Sequence, residues 1–126
     1  MSNKYEMTIG GKTVTADEYA NIRNPANTEE VVGQAPVGTS VHLNQAVEAA
    51  VNAFQSWKLS SEQDRIDACN AMAKVCTDNA EELAVLLTKE QGKPLGGMGS
   101  QFELGGCGAW AGFTAGLSLP EKLIED

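Results

Sequence analysis

The chain has few of the side chains that build metal sites and disulfide frameworks. Its 126 residues include one histidine, His42, and three cysteines, Cys69, Cys76 and Cys107. The cysteines are odd in number and show no CxxC spacing, so we expect no disulfides, and a zinc site would lack ligands. We therefore predict no metal site and a reduced, cytoplasmic protein.

Basic residues and long apolar runs are also scarce. Nine Lys and Arg against 17 Asp and Glu give a net charge of −8. Such an acidic surface repels phosphate backbones and anionic lipid heads, so we expect no nucleic-acid partner and no membrane partner. The longest weakly polar stretch, Leu104 to Leu119, is too short and too rich in glycine to cross a bilayer. No apolar run follows the first residues, so no signal peptide is expected.

Strand and turn signals fill residues 1–37. Alternating runs on either side of Gly10-Gly11 predict a two-residue hairpin. A turn at Asn24-Pro25-Ala26-Asn27 separates two possible strands, Tyr19–Arg23 and Glu30–Pro36. Short hairpins are marginal alone, so these strands need a partner surface.

From Thr39 the apolar residues recur at helical spacing, which predicts three helices. Ser40 is placed to cap the first, and the pairs Ser60–Gln63 and Asp78–Glu81 have capping-box spacing for the second and third. Gly92, followed by Pro94, is expected to end the third. The apolar stripes are Leu43, Ala46, Val47, Ala50, Val51, Phe54 and Trp57, then Ile66, Cys69, Met72, Ala73 and Cys76, then Leu83, Leu86 and Leu87.

The segment after Gly92 is rich in glycine but still has apolar residues at helical spacing. Gly108, Gly112 and Gly116 recur every four residues. Each glycine inside a helix costs up to about 1 kcal/mol against alanine. We therefore predict a fourth helix that forms only where another backbone packs closely against this glycine face. The predicted fold is a small α+β domain over residues 1–126, mainly helical, with strands and turns in 1–37 and three or four helices in 38–126.

No motif in the chain predicts catalysis. The Gly10-Gly11-Lys12-Thr13 run resembles the end of a phosphate-binding loop, but Glu6 stands where that motif needs glycine and a strand follows it. No GxGxxG fingerprint is present. Cys69 and Cys76 lie on an apolar stripe and favour a core role, and Cys107 among glycines also favours structure over reactivity. His42 near a helix start is expected to be solvated.

The chain as a whole resembles the N-terminal part of the aldehyde dehydrogenase superfamily. The resemblance covers about Tyr5 to Asp126, in the family's order and spacing. The matching stretches are NPANTEEVVG at 24–33, APVGT at 35–39, AVEAA at 46–50 with Ala53-Phe54 and Trp57 after it, NAEELA at 79–84, LTKEQGKPL at 87–95 and AWAG at 109–112.

The resemblance implies a fold that belongs to a longer enzyme. Full-length members oxidise aldehydes with NAD or NADP, through a catalytic cysteine and a glutamate base that come after the region present here. The FELGGC run at 102–107 resembles the family's base motif, but it comes directly after the QGKPL landmark and Cys107 replaces a lysine. We therefore interpret Glu103 as a helix residue and assign no catalytic, cofactor-binding or metal residue to this chain, and no cofactor of its own.

Three functional hypotheses remain open at this stage. The chain is an aldehyde-dehydrogenase-like protein or fragment without activity of its own. It is a self-associating or partner-binding module, with a homo-oligomer expected because helices that cover a sheet in the family leave apolar faces open here. Alternatively, it is the opening of a full-length NAD(P)-dependent enzyme that oxidises an aldehyde to a carboxylic acid.

Overall fold

The structure is a computed structural model that describes residues 3–117. It contains five strands followed by four helices, which confirms the predicted, mainly helical α+β class. The strands are β1 Asn3–Lys4, β2 Met7–Ile9, β3 Lys12–Val14, β4 Tyr19–Asn24 and β5 Asn27–Pro36. The helices are α1 Ser40–Trp57, α2 Glu62–Asp78, α3 Ala80–Gln91 and α4 Ser100–Ala115.

The predicted glycine hairpin is present between β2 and β3. Both strands pair antiparallel, with Met7 opposite Val14 and Ile9 opposite Lys12. Gly10 and Gly11 have φ of 58° and 75°, the left-handed values that a tight hairpin turn of this kind requires at both central positions. The Gly-Gly-Lys-Thr run is therefore a hairpin turn followed by a strand, and the alternative reading as a phosphate loop is wrong.

A second sheet has the strand order β1–β5–β4. Strand β4 pairs antiparallel with β5 across the predicted turn. Strand β1 lies parallel to β5, with Asn3 opposite Gly33, and two residues are too few for periodicity to predict it. Gly33 is buried, and a side chain there would stand 3.0 Å from the Tyr5 ring and 3.2 Å from the Asn3 carbonyl oxygen.

The starts of the helices differ from the predicted caps. Helix α1 is capped by Thr39 and not by Ser40, and α2 by Ser61 and not by Ser60. In each case the side chain three residues beyond the cap accepts from the cap's own N–H. The third predicted box, Asp78–Glu81, is wrong, because α2 continues to Asp78 and α3 begins at Ala80 without a side-chain cap bond.

Glycines mark the end of α3 and one close contact between α4 and α2. Gly92 ends α3 with a left-handed φ of 70°, as predicted. Gly108 lies against α2, where a side chain would stand 3.1 Å from Thr77 Oγ1 and 3.5 Å from the Ala73 carbonyl oxygen. The prediction that Gly112 and Gly116 also face another backbone is wrong: Gly112 has open space, and Gly116 meets only carbonyls of its own helix.

The core is small and lies where α2 and α3 both pack on α4. The fully or nearly fully buried side chains among residues 3–117 are Ala84 of α3 and Ser100 and Ala115 of α4. The Thr88 hydroxyl donates to the Ser100 hydroxyl at 2.8 Å, which joins α3 to the start of α4. Small side chains at this junction let the helices approach closely.

Candidate functional site

The structure exposes a large total surface and many large apolar side chains. The accessible area is 9624 Å². A compact monomer of 13.3 kDa exposes roughly 6,500 Å², so this chain exposes roughly 3,000 Å² more than a compact fold of its mass. Monomeric proteins rarely leave apolar patches of more than a few hundred Å² open, and larger patches mark interaction surfaces.

Helix α1 contributes the first part of this surface. Its apolar stripe, named here the α1 stripe, is exposed along its whole length. Leu43 is 64% and Phe54 56% exposed. Helix α1 meets the β2–β3 hairpin through another side, where Ala49 approaches Gly10. The α1 stripe consists of Leu43, Ala46, Val47, Ala50, Val51, Phe54 and Trp57.

An open cleft of about 590 Å³ extends this stripe toward the hairpin. It lies between β2 and the start of α1, with Met7 and Ile9 on one wall and Leu43 and Ala46 on the other. His42 also lines it, and its Nδ1 accepts from the Thr39 N–H at 3.2 Å. His42 is thus a partially exposed partner of the helix cap, a role that the sequence pattern did not predict.

Helix α4 contributes the second part, on the side away from α2 and α3. We call this side the outer face of α4. Two phenylalanines on it are more than half exposed, and side chains added at three of its glycines, Gly105, Gly106 and Gly112, would meet nothing within 4 Å. The outer face consists of Phe102, Gly105, Gly106, Ala109, Gly112, Phe113 and Gly116.

The chemically reactive side chains are not gathered into one site. All three cysteines are free, Cys69 and Cys76 half-buried on α2 and Cys107 exposed on α4. The Glu103 carboxylate is held in an ion pair with Lys93. Within residues 3–117, no group of three or more His, Cys, Asp or Glu side chains is placed to hold a metal ion. No helix in the same range is long and apolar enough to cross a membrane.

Two carboxyl groups have perturbed acidity, and both have structural partners. Hydrogen bonds from Lys89 and then from Asn24 hold the pKa of Glu30 below its ordinary value, although burial opposes this. Because Lys89 lies on α3 and Glu30 on β5, their 2.8 Å ion pair joins helix to sheet. The pKa of Asp64 is lowered by hydrogen bonds from the Ser61 side chain and backbone at the α2 cap.

The sequence and the fold both match one enzyme family. Residues 13–118 match the aldehyde dehydrogenase family. A probable aldehyde dehydrogenase from a Pseudomonas species is 38% identical over 121 residues, which is 96% of this chain and 24% of that protein. The chain belongs to the aldehyde dehydrogenase family.

Other relatives belong to the same family and match the same part of this chain. The 1-pyrroline-5-carboxylate dehydrogenase 2 of Bacillus subtilis is 33% identical over 94 residues, which is 75% of this chain and 18% of that protein. The crystal structure of an NAD-dependent aldehyde dehydrogenase from Sinorhizobium meliloti superposes with a TM-score of 0.85 at 29% identity, over 92% of this chain and 24% of that one. The chain therefore spans about a quarter or less of its relatives' length and corresponds to the N-terminal part of the full-length enzymes.

Two glycine-rich stretches of this aldehyde dehydrogenase segment, Gly10-Gly11 and residues 96–99, have backbone surroundings that the structure describes. The Gly10-Gly11 turn leads into a strand, so no helix start lies behind it to receive a phosphate. At the start of α4, the N–H groups of Ser100 and Gln101 donate to the carbonyls of Pro94 and Leu95 at 2.9 and 3.0 Å. These backbone donors are therefore already engaged, although glycine-rich chain precedes the helix.

Sequence patterns did not predict two contacts, one at the start of α1 and one on α4. The Thr39–His42 box was not recognised because histidine is not one of the usual glutamate or glutamine partners in a capping box. The Lys93–Glu103 pair joins the QGKPL segment to α4 across ten positions of sequence. The position of Glu103 in α4 confirms its interpretation as a helix residue.

Proposed function

We propose that this chain, by itself, is a catalytically inactive, self-associating helical module of the aldehyde dehydrogenase family. The observation that carries the proposal is the exposure of large apolar side chains on the α1 stripe and the outer face of α4. The exposed large apolar side chains on these two surfaces are Leu43, Val47, Val51, Phe54, Trp57, Phe102 and Phe113. Exposed apolar side chains of this number favour association, and a second copy of the chain is the partner we propose. A wild-type chain that is monomeric at micromolar concentration in sedimentation equilibrium would overturn the self-association.

The absence of activity is supported by the surroundings of the candidate nucleophiles and base. A catalytic cysteine needs a neighbouring base or an electropositive site to form its thiolate. Cys69 and Cys76 lie half-buried on the helix that packs on α4, and Glu103 is engaged by Lys93. We accordingly propose no catalytic, cofactor-binding or metal-binding residue for this chain.

An enzyme assay tests this part of the proposal. The purified chain is incubated with NAD or NADP and a panel of aldehydes, and NADH or NADPH formation is followed by absorbance. We expect no formation above a control without protein. Formation that is lost in Cys107→Ser or Glu103→Gln would contradict the proposal and would make those side chains part of an active site. Formation that is equal in all variants would indicate a contaminating enzyme.

The second candidate function is that of the N-terminal part of a full-length NAD(P)-dependent aldehyde dehydrogenase, which oxidises an aldehyde to a carboxylic acid. It is favoured by the match over 96% of this chain but only 24% of the relative. An antibody against residues 60–95 tests it on the source cells. A band near 13.3 kDa would support the short module, whereas a band several times larger would assign the open faces to the rest of the enzyme.

A cytoplasmic location is part of the same proposal. The three free thiols support it, because cysteines stay reduced in the cytoplasm and tend to be oxidised in secreted proteins. Fractionation of the source cells, followed with the same antibody, would test it.

A further inference from the structure

We draw no further inference here: the strongest candidate, the open cleft of about 590 Å³ between β2 and the start of α1, is an apolar groove beside a helix N-terminus, and nothing among the described residues shows what covers it.

Discussion

Helices α1 and α4 show that an apolar stripe in the sequence and a buried face in the structure need not coincide. Helix α1 has the clearest apolar stripe of the chain, yet that stripe is exposed. Helix α4 has glycines and alanines scattered around its circumference, yet Ser100, Gly108 and Ala115 fit closely against α2 and α3. The apolar stripe of α1 marks a face that burial would stabilise. The small residues of α4 mark the side on which α2 and α3 already pack.

The largest expected effect is at the junction that packs α4. Gly99 is buried, and a side chain there would collide with the Pro94 carbonyl oxygen. We expect Gly99→Ala to lower the free energy of unfolding by about 2 kcal/mol or more, the cost of forcing backbone apart in a packed site. Urea denaturation followed by circular dichroism measures this.

Gly105→Ala is the matched control for that substitution. The added methyl group meets nothing within 4 Å on the open side of α4, and alanine favours a helix over glycine. We expect it to raise the free energy of unfolding by up to about 1 kcal/mol. Equal effects of the two substitutions would contradict the contrast between the packed and open sides of α4.

An intermediate effect should distinguish the caps of α1 and α2. The Ser61 side chain accepts from Asp64 N–H at 3.1 Å at the start of α2, and Thr39 accepts from His42 N–H at 3.4 Å at the start of α1. Removing a cap costs about 1 kcal/mol when the helix is part of the folding unit. We expect Ser61→Ala to lower the free energy of the main unfolding transition by that amount.

Thr39→Ala should act differently, because α1 is held mainly by the small β2–β3 hairpin. We expect a loss of helical signal before the main transition, with little change in the midpoint of that transition. A shift equal to that of Ser61→Ala would show that α1 unfolds together with α2, α3 and α4. Helix α1 would then differ from the other helices only in the exposure of its apolar side chains.

The smallest effect is pH-dependent and concerns the link from β5 to α3. Hydrogen bonds from Lys89 and Asn24 lower the pKa of Glu30 in the folded chain from its ordinary value of 4.5. The unfolded chain therefore binds this proton first as the pH falls. The stabilisation is present above pH 4.5 and is lost as the pH falls through the folded pKa.

Glu30→Gln measures this contribution. The difference in unfolding free energy between wild type and variant should shrink as the pH is lowered from neutrality to below 4.5. Glu29→Gln at the exposed neighbouring position serves as the control. A difference that stays constant with pH would show that Glu30 acts through packing and not through its charge.

Local patterns predicted the elements better than their contacts. The Gly-Gly hairpin, the turn at residues 24–27 and the end of α3 at Gly92 each depend on a few adjacent residues, and each was predicted correctly. The α3 start was wrong because α2 uses the predicted cap, Asp78, as its last residue, and the adjacent Asn79 takes the cap position of α3. Choosing between them requires the packing of both helices, which no local pattern contains.

Contacts between distant residues account for the other differences. Strand β1 exists only because β5 offers a free edge to Asn3 and Lys4. Gly108, Gly112 and Gly116 look equivalent in sequence, but α2 passes only Gly108. For the candidate surface, the α1 stripe was predicted as an apolar face from its spacing, whereas the open side of α4 could be identified only once its packed side was known.

The Thr88–Ser100 hydrogen bond has a consequence for how the chain acquires its structure. It spans 12 residues, and α2 and α3 both pack on the helix that follows. The pairing of Asn3 with Gly33 must instead close a loop of about thirty residues around a separate hairpin. Because short loops close at lower entropic cost and local contacts form faster, we expect α2, α3 and α4 to assemble as an early folding nucleus. The β1–β5 pairing should form later on the pathway.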